Sequence, residues 1–173
     1  MLTRIGKSVS YDYIYKFGFG SSTESGLIGE SAGIVIHEKY IRDNNVARIG
    51  FGQSIAITPI QLAVGACAAI NGGELLQPYI IKQVIGANGE IIKENQRRVI
   101  RRAVSEETSA TVRALLESVV EKGSGRNAQI PGYRVGGKTG TAQKFDFSRG
   151  MSSSASVRTS FIGFFTAENT QVV

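Results

Sequence analysis

Apolar positions along this chain fall into blocks whose spacing switches between helical and extended periods. Leu2, Ile5, Val9 and Tyr13 recur at helical spacing and predict an opening helix that ends at the Gly18-Phe19-Gly20 break. Residues 20–33, dominated by Gly, Ser and Glu, predict an irregular surface loop, and Ile34, Val35 and Ile36 a short strand. Thr58-Pro59-Ile60-Gln61 is the sharpest helix start: a capping hydroxyl, a proline in the first turn and a glutamine that completes a capping box. From Ile60 to Ile70 the segment is apolar nearly all round, which predicts a helix buried on several sides, with small outward residues that let other helices approach. Asn71-Gly72-Gly73 stops it.

Tyr79 to Ile85 and Glu90 to Lys93 flank Ala87-Asn88-Gly89, a hairpin signal. Ser105 caps a second helix whose Glu106 and Glu107 suit its N-terminal dipole. Val112, Leu115, Leu116, Val119 and Val120 form its apolar stripe, and Lys122-Gly123 ends it. Residues 124–132 predict a flexible connector, Val135 to Lys144 a central strand, 145–156 a serine-rich mobile loop, and 158–166 a long aromatic strand. Val172 and Val173 read as the opening of a further strand.

Composition adds bounds to this pattern. At 173 residues the chain is one domain's worth, with hydrophobic and charged content ordinary for a globular protein. No apolar run approaches the roughly 18 residues of a membrane span, and the first residues do not read as a signal peptide. The net charge of +6 suits either an anionic polymer or an ordinary solvated surface. Arg97, Arg98, Arg101 and Arg102, interrupted by Val99 and Ile100, read as a charged strand edge, with a nucleic-acid patch as the rival. Tyr11, Tyr13, Tyr15, Phe17 and Phe19 read as core aromatics, with base stacking as the rival. Cys67 stands alone among small residues as a buried thiol, and His37 lies in a polar patch without ligand spacing around it, so no metal or cofactor is expected.

The candidate chemistry lies in Val135-Gly136-Gly137-Lys138-Thr139-Gly140-Thr141-Ala142-Gln143-Lys144. As an extended segment it sets Lys138, Gly140 and Ala142 on one face and Thr139, Thr141 and Gln143 on the other. A strand so rich in glycine implies that a ligand or another chain comes close to its backbone. Exposed N–H groups beside threonine hydroxyls and an ammonium suit a carboxylate or a developing oxyanion. Residues 132–139 also satisfy G-x-x-x-x-G-K-[ST], the phosphate loop of nucleotide hydrolases, though without the apolar strand before it and the helix after it. The competing pattern is K-T-G, whose context is a strand. A non-catalytic module that holds carboxylates or peptide ends is a third reading.

Ile49 to Ala63, Asn71-Gly72-Gly73, Gln77-Pro78-Tyr79, Gly132 to Lys144 and Phe161-Ile162-Gly163-Phe164 together resemble class B penicillin-binding proteins, in that family's order and across almost the whole chain. These are the peptidoglycan D,D-transpeptidases of division, elongation or sporulation. The resemblance implies an α+β chain, part of the penicillin-binding transpeptidase (serine β-lactamase-like) fold, with helices packed on an antiparallel sheet. It implies that Lys138 lines the cleft and helps proton transfer. Thr139 and Thr141 would bind the carboxylate of a stem peptide or β-lactam through their hydroxyls, Gly140 would let the acyl group lie flat, and the Thr141 N–H would supply half the oxyanion hole. The partners implied are peptidoglycan stem peptides and β-lactams at the extracytoplasmic face of a bacterial membrane, with no nucleic acid.

One departure shapes the expectation. No serine has a lysine three positions on, and S-x-N is absent, Ser10-Tyr11-Asp12 being the nearest match. Residues 1–173 are therefore expected to be the C-terminal part of a transpeptidase domain, lacking S-x-x-K and S-x-N before Met1 and the last strand and helix after Val173. Such a fragment would be inactive alone, would pair with the missing part of its own domain, and would self-associate through exposed apolar surface.

Overall fold

The computed structural model describes residues 2–50, 52–146 and 151–165. The elements run α1 (Leu2–Ile5), α2 (Lys7–Lys16), β1 (Ile34–Val35), α3 (Asp43–Ile49), β2 (Ile55–Ala56), α4 (Pro59–Ile70) and β3 (Glu74–Leu76). They continue with β4 (Gln83–Ile85), β5 (Ile91–Glu94), β6 (Val99–Arg102), α5 (Glu106–Lys122), β7 (Val135–Asp146) and β8 (Met151–Phe165). The strands pair antiparallel as β1–β2, β3–β6, β4–β5 and β7–β8, so the α+β class read from the sequence holds.

The opening helix is divided at Gly6, whose φ of 92° no helix interior admits. Of its aromatics, Tyr11 is the core residue: its hydroxyl donates to the Ile36 carbonyl at 2.7 Å, and its ring packs with Ile41, Val46, Val35 and Ile49. Helix α3, which supplies Val46 and Ile49, escaped the sequence reading because too few apolar residues mark it. Tyr13 and Tyr15 stay partly exposed, at 43% and 39%, Tyr13 beneath the Lys16 ammonium.

The loop over residues 20–33 is irregular but fixed. Glu30 closes it: one carboxylate oxygen accepts from Thr23 N–H and Oγ1 at 2.7 and 2.6 Å, the other from Ser25 N–H and Oγ at 3.2 and 3.1 Å. These bonds favour the charged form and hold the Glu30 pKa down at about 2. Gln61, fully buried, ties the loop to α4. Its Oε1 accepts from Thr58 N–H at 2.9 Å as half of the capping box, and its Nε2 donates to Ser21 O and Ala32 O at 2.7 and 2.9 Å. Gly33 is required where the loop meets this amide, since a Cβ would lie 2.5 Å from Ala56 O and 2.8 Å from Gln61 Oε1.

Helix α4 is less enclosed than its composition predicts. Gly65, Ala68 and Ile70 are buried, Gly65 beneath the Phe19 ring, but Leu62 and Ala63 are exposed and no described residue covers that side. The apolar character of α4 therefore exceeds what its described neighbours bury. The stripe on α5 is also rotated from the expected one. Ser109, Glu117 and Val120 are buried and Leu116 packs with Ile70 and Phe164, whereas Leu115 is 62% exposed. A serine and a glutamate lie on the inner face because each has a partner: Ser109 Oγ accepts from Gly72 N–H at 3.0 Å and Glu117 holds Arg134.

The hairpin forms around residues 87–89, with Ile85 opposite Ile91 and Gly89 at φ 83°, but its first strand is only Gln83–Ile85 of the expected 79–85, and both strands are exposed on both faces. The arginine cluster belongs to β6 and its approach, and each member is engaged within the fold. Arg97 and Arg102 pair with Glu74, Arg98 Nη1 donates to Gln77 Oε1 at 2.9 Å, and Arg101 Nη1 to Tyr15 O at 3.2 Å. Expected loops are more ordered than their composition implied. Residues 124–132 hold a 3₁₀ turn at Arg126–Ala128, and the described residues of 145–156 are strand, because β7 runs to Asp146 and β8 starts at Met151. Pairing of Lys144, Phe145 and Asp146 with Ser153, Ser152 and Met151 satisfies that backbone whatever its side-chain propensity. The expected strand at Val172 and Val173 lies outside the described residues.

Candidate active site

Strand β7 carries all four sequence-predicted site residues. Lys138, Thr139, Gly140 and Thr141 stand opposite Ile162, Phe161, Ser160 and Thr159 of β8. A phosphate loop would need the chain to curl here and a helix to begin at Lys138; Val135–Asp146 is instead one continuous strand, which removes the nucleotide reading.

The glycines of this strand answer to its own neighbour. A Cβ on Gly136 would lie 2.3 Å from Phe164 Cζ, and one on Gly137 would lie 2.3 Å from Phe161 Cζ and 2.7 Å from Ile162 O. The close approach expected of a ligand or second chain is thus supplied, for these two residues, by aromatic rings of β8 lying across the backbone. Gly140 faces Ser160, whose Oγ a Cβ would meet at 2.6 Å.

Cross-strand partners share a face, so Gly136 and Lys138 lie on the side of Phe164 and Ile162. That side meets the helices: Phe164 packs with Ile70, Ala69 and Leu116, and the Lys138 stem lines a crevice of about 50 Å³ with Ala66, Ala69 and Leu116. The Lys138 ammonium is exposed and donates to the Thr139 carbonyl at 2.9 Å. Thr139 is half-buried, and its Oγ1 lies 2.9 Å from Ser124 Oγ. Thr141 is exposed. An ammonium and two hydroxyls are therefore brought to four consecutive residues of a strand paired, among the described residues, on one edge only.

Two features beside the strand were not read from the sequence. Glu117 and Arg134 form a two-pronged ion pair between α5 and the residue before β7, with Nη2 to Oε2 at 2.6 Å and Nε to Oε1 as the second prong. Those hydrogen bonds hold the Glu117 carboxyl below its ordinary pKa, against the opposing effect of burial. Glutamate on an apolar helix face, in line with Leu116 and Val120, was the available signal. The other is Ser124, which carries no signal of its own in a Gly-Ser-Gly stretch.

Comparison with known proteins accords with this geometry. A family model described as penicillin binding protein transpeptidase domain matches residues 1–173. Stage V sporulation protein D of Bacillus subtilis is 42% identical over 171 residues, covering 98% of this chain and 26% of that protein. Penicillin-binding protein PbpB of Mycobacterium tuberculosis is 35% identical over 177 residues, with the same two shares. The chain thus spans about a quarter of the length of these curated relatives. Among solved structures, penicillin binding protein 3 from M. tuberculosis complexed with ampicillin superposes with a TM-score of 0.91 at 35% identity, over 98% of this chain and 39% of that one. Penicillin binding protein 2X from Streptococcus thermophilus gives 0.85 at 29% identity, over 96% and 26%. With its whole length matched and its K-T-G sequence held in the sheet, this chain belongs to the penicillin-binding protein transpeptidase domain family.

Proposed function

We propose that the chain forms one wall of the acyl-transfer site of a peptidoglycan D,D-transpeptidase, with β7 as the strand along which the acyl donor lies. The observation that carries this reading is the extended course of Lys138 to Thr141, with one strand edge open among the described residues. Lys138 supplies positive charge and helps proton transfer in the cleft. The hydroxyls of Thr139 and Thr141 bind the carboxylate of a stem peptide or β-lactam, and Gly140 leaves room for the acyl group. The Thr141 N–H serves as one oxyanion donor; loss of a comparable donor costs about 3 kcal/mol of transition-state stabilisation. Support for β-lactam binding comes from the ampicillin complex of the M. tuberculosis relative.

The nucleophile is a serine of S-x-x-K, a pattern no serine in this sequence satisfies, so the acyl-enzyme forms in a longer protein that includes this chain. With peptidoglycan as its substrate, that longer protein would act at the extracytoplasmic face of the bacterial cell membrane. Incubation with a fluorescent penicillin followed by intact-mass measurement tests the proposal. The longer protein should gain one adduct, the isolated chain none, and Lys138→Ala in the longer protein should slow labelling severely. A stoichiometric adduct on the isolated chain, or none on the longer protein, overturns it.

A further inference from the structure

The contact between Ser124 Oγ and Thr139 Oγ1, 2.9 Å long, joins residues 15 apart in sequence. Ser124 reaches it from a braced segment. Gly123 N–H and Gly125 N–H both donate to Val119 O at 3.0 Å, and Gln129 Nε2 donates to Val120 O and Glu121 O at 2.9 and 3.1 Å. Arg126 Nη2 donates to Lys122 O at 3.2 Å. The carbonyls left over at the end of α5 are satisfied this way, and the segment becomes a bracket for the Ser124 side chain. Gly125 is buried so closely that a Cβ would lie 3.2 Å from Val119 O and Val120 Cγ2.

A hydroxyl carries one hydrogen and can donate once. If Thr139 donates that hydrogen to a carboxylate, the hydrogen in the Ser124–Thr139 contact comes from Ser124. We infer that Ser124 is a positioning residue for the acyl-transfer site: it donates to Thr139 Oγ1 and so turns the Thr139 hydrogen towards the carboxylate of the bound acyl donor. The inference rests on the proposed role of the K-T-G strand. A donor chain from Ser124 through Thr139 to an anion also polarises each link, so the second bond is stronger than Thr139 would make alone.

The test uses the longer transpeptidase containing this chain and measures second-order acylation rates with a carboxylate-bearing β-lactam and with its methyl ester. Ser124→Ala is expected to slow acylation by the acid about tenfold, the upper end of the scale for one hydrogen bond between neutral groups, and to leave the ester within about twofold. Ser124→Thr keeps a hydroxyl and should restore the rate with the acid. Equal slowing of both compounds, no slowing of either, or no restoration by Ser124→Thr overturns the role of Ser124. An unsubstituted protein that neither compound acylates overturns the transpeptidase reading, and this inference with it.

Discussion

Arg134 grips Glu117 with two parallel hydrogen bonds, and this pair fixes the entry of β7 to the inner face of α5. The carboxylate side chain is 10% exposed and the guanidinium 51%, so the pair is screened on one side only. Glu117→Gln should destabilise the fold by about 1–3 kcal/mol, read from urea denaturation at neutral pH. The pKa of Glu117 is lowered on folding, so its contribution is present above the ordinary carboxylate range and is lost as pH falls through the lowered value. Loss of stability on acidification should accordingly be shallower in Glu117→Gln than in the unsubstituted protein.

Gln61 is a stronger test of packing against polarity, because one buried amide serves three backbone groups. Gln61→Leu keeps the volume and removes every partner of Thr58 N–H, Ser21 O and Ala32 O on that side chain. A loss of roughly 2–4 kcal/mol is expected, with faster amide exchange across 20–33. A variant as stable as the parent would show that the loop is held elsewhere.

Glu30 gives an acid response of its own. Its folded pKa of about 2 lies below the ordinary value of 4.5, so the clasp is intact above about pH 4.5 and opens as pH falls towards 2. Amide chemical shifts of Thr23 and Ser25 should stay constant at neutral pH and titrate together on acidification. In Glu30→Gln these shifts should no longer follow that titration.

Gly137 carries the steric prediction. Gly137→Ala places a methyl against Phe161 Cζ, which can swing away, and against Ile162 O of the paired strand, which can move only with the sheet. A cost of about 1–3 kcal/mol is expected from thermal or urea unfolding. Adding Phe161→Leu should recover part of it, and full recovery would mean that the backbone contact yields freely.

The sequence made α4 legible because its start is local chemistry: Thr58, Pro59 and Gln61 each act within one turn. Strand β7 was legible for a different reason, since glycine and threonine in that density exclude a buried helix. What escaped depended on distant partners. Glu117 looked like a polar interruption until Arg134 met it, and Leu115 looked like core until the helix turned it outward. The serine-rich segment of β8 read as loop because strand propensity ignores the hydrogen bonds a long partner offers. Lys138, Thr139, Gly140 and Thr141 stand out as consecutive residues of one pattern, whereas Ser124 could be recognised only once residues 15 apart were seen side by side.

Two polar side-chain contacts tie α5 and the braced turn after it to β7 and the residue before it: Glu117 at Arg134 and Ser124 at Thr139. One anchor on the 17-residue helix and one in the turn braced against its end leave the intervening stretch little freedom to pivot. The stiffness of the threonine hydroxyl is then borrowed from a helix, and a substitution that softens the far end of α5 would blur the alignment of a group it never meets.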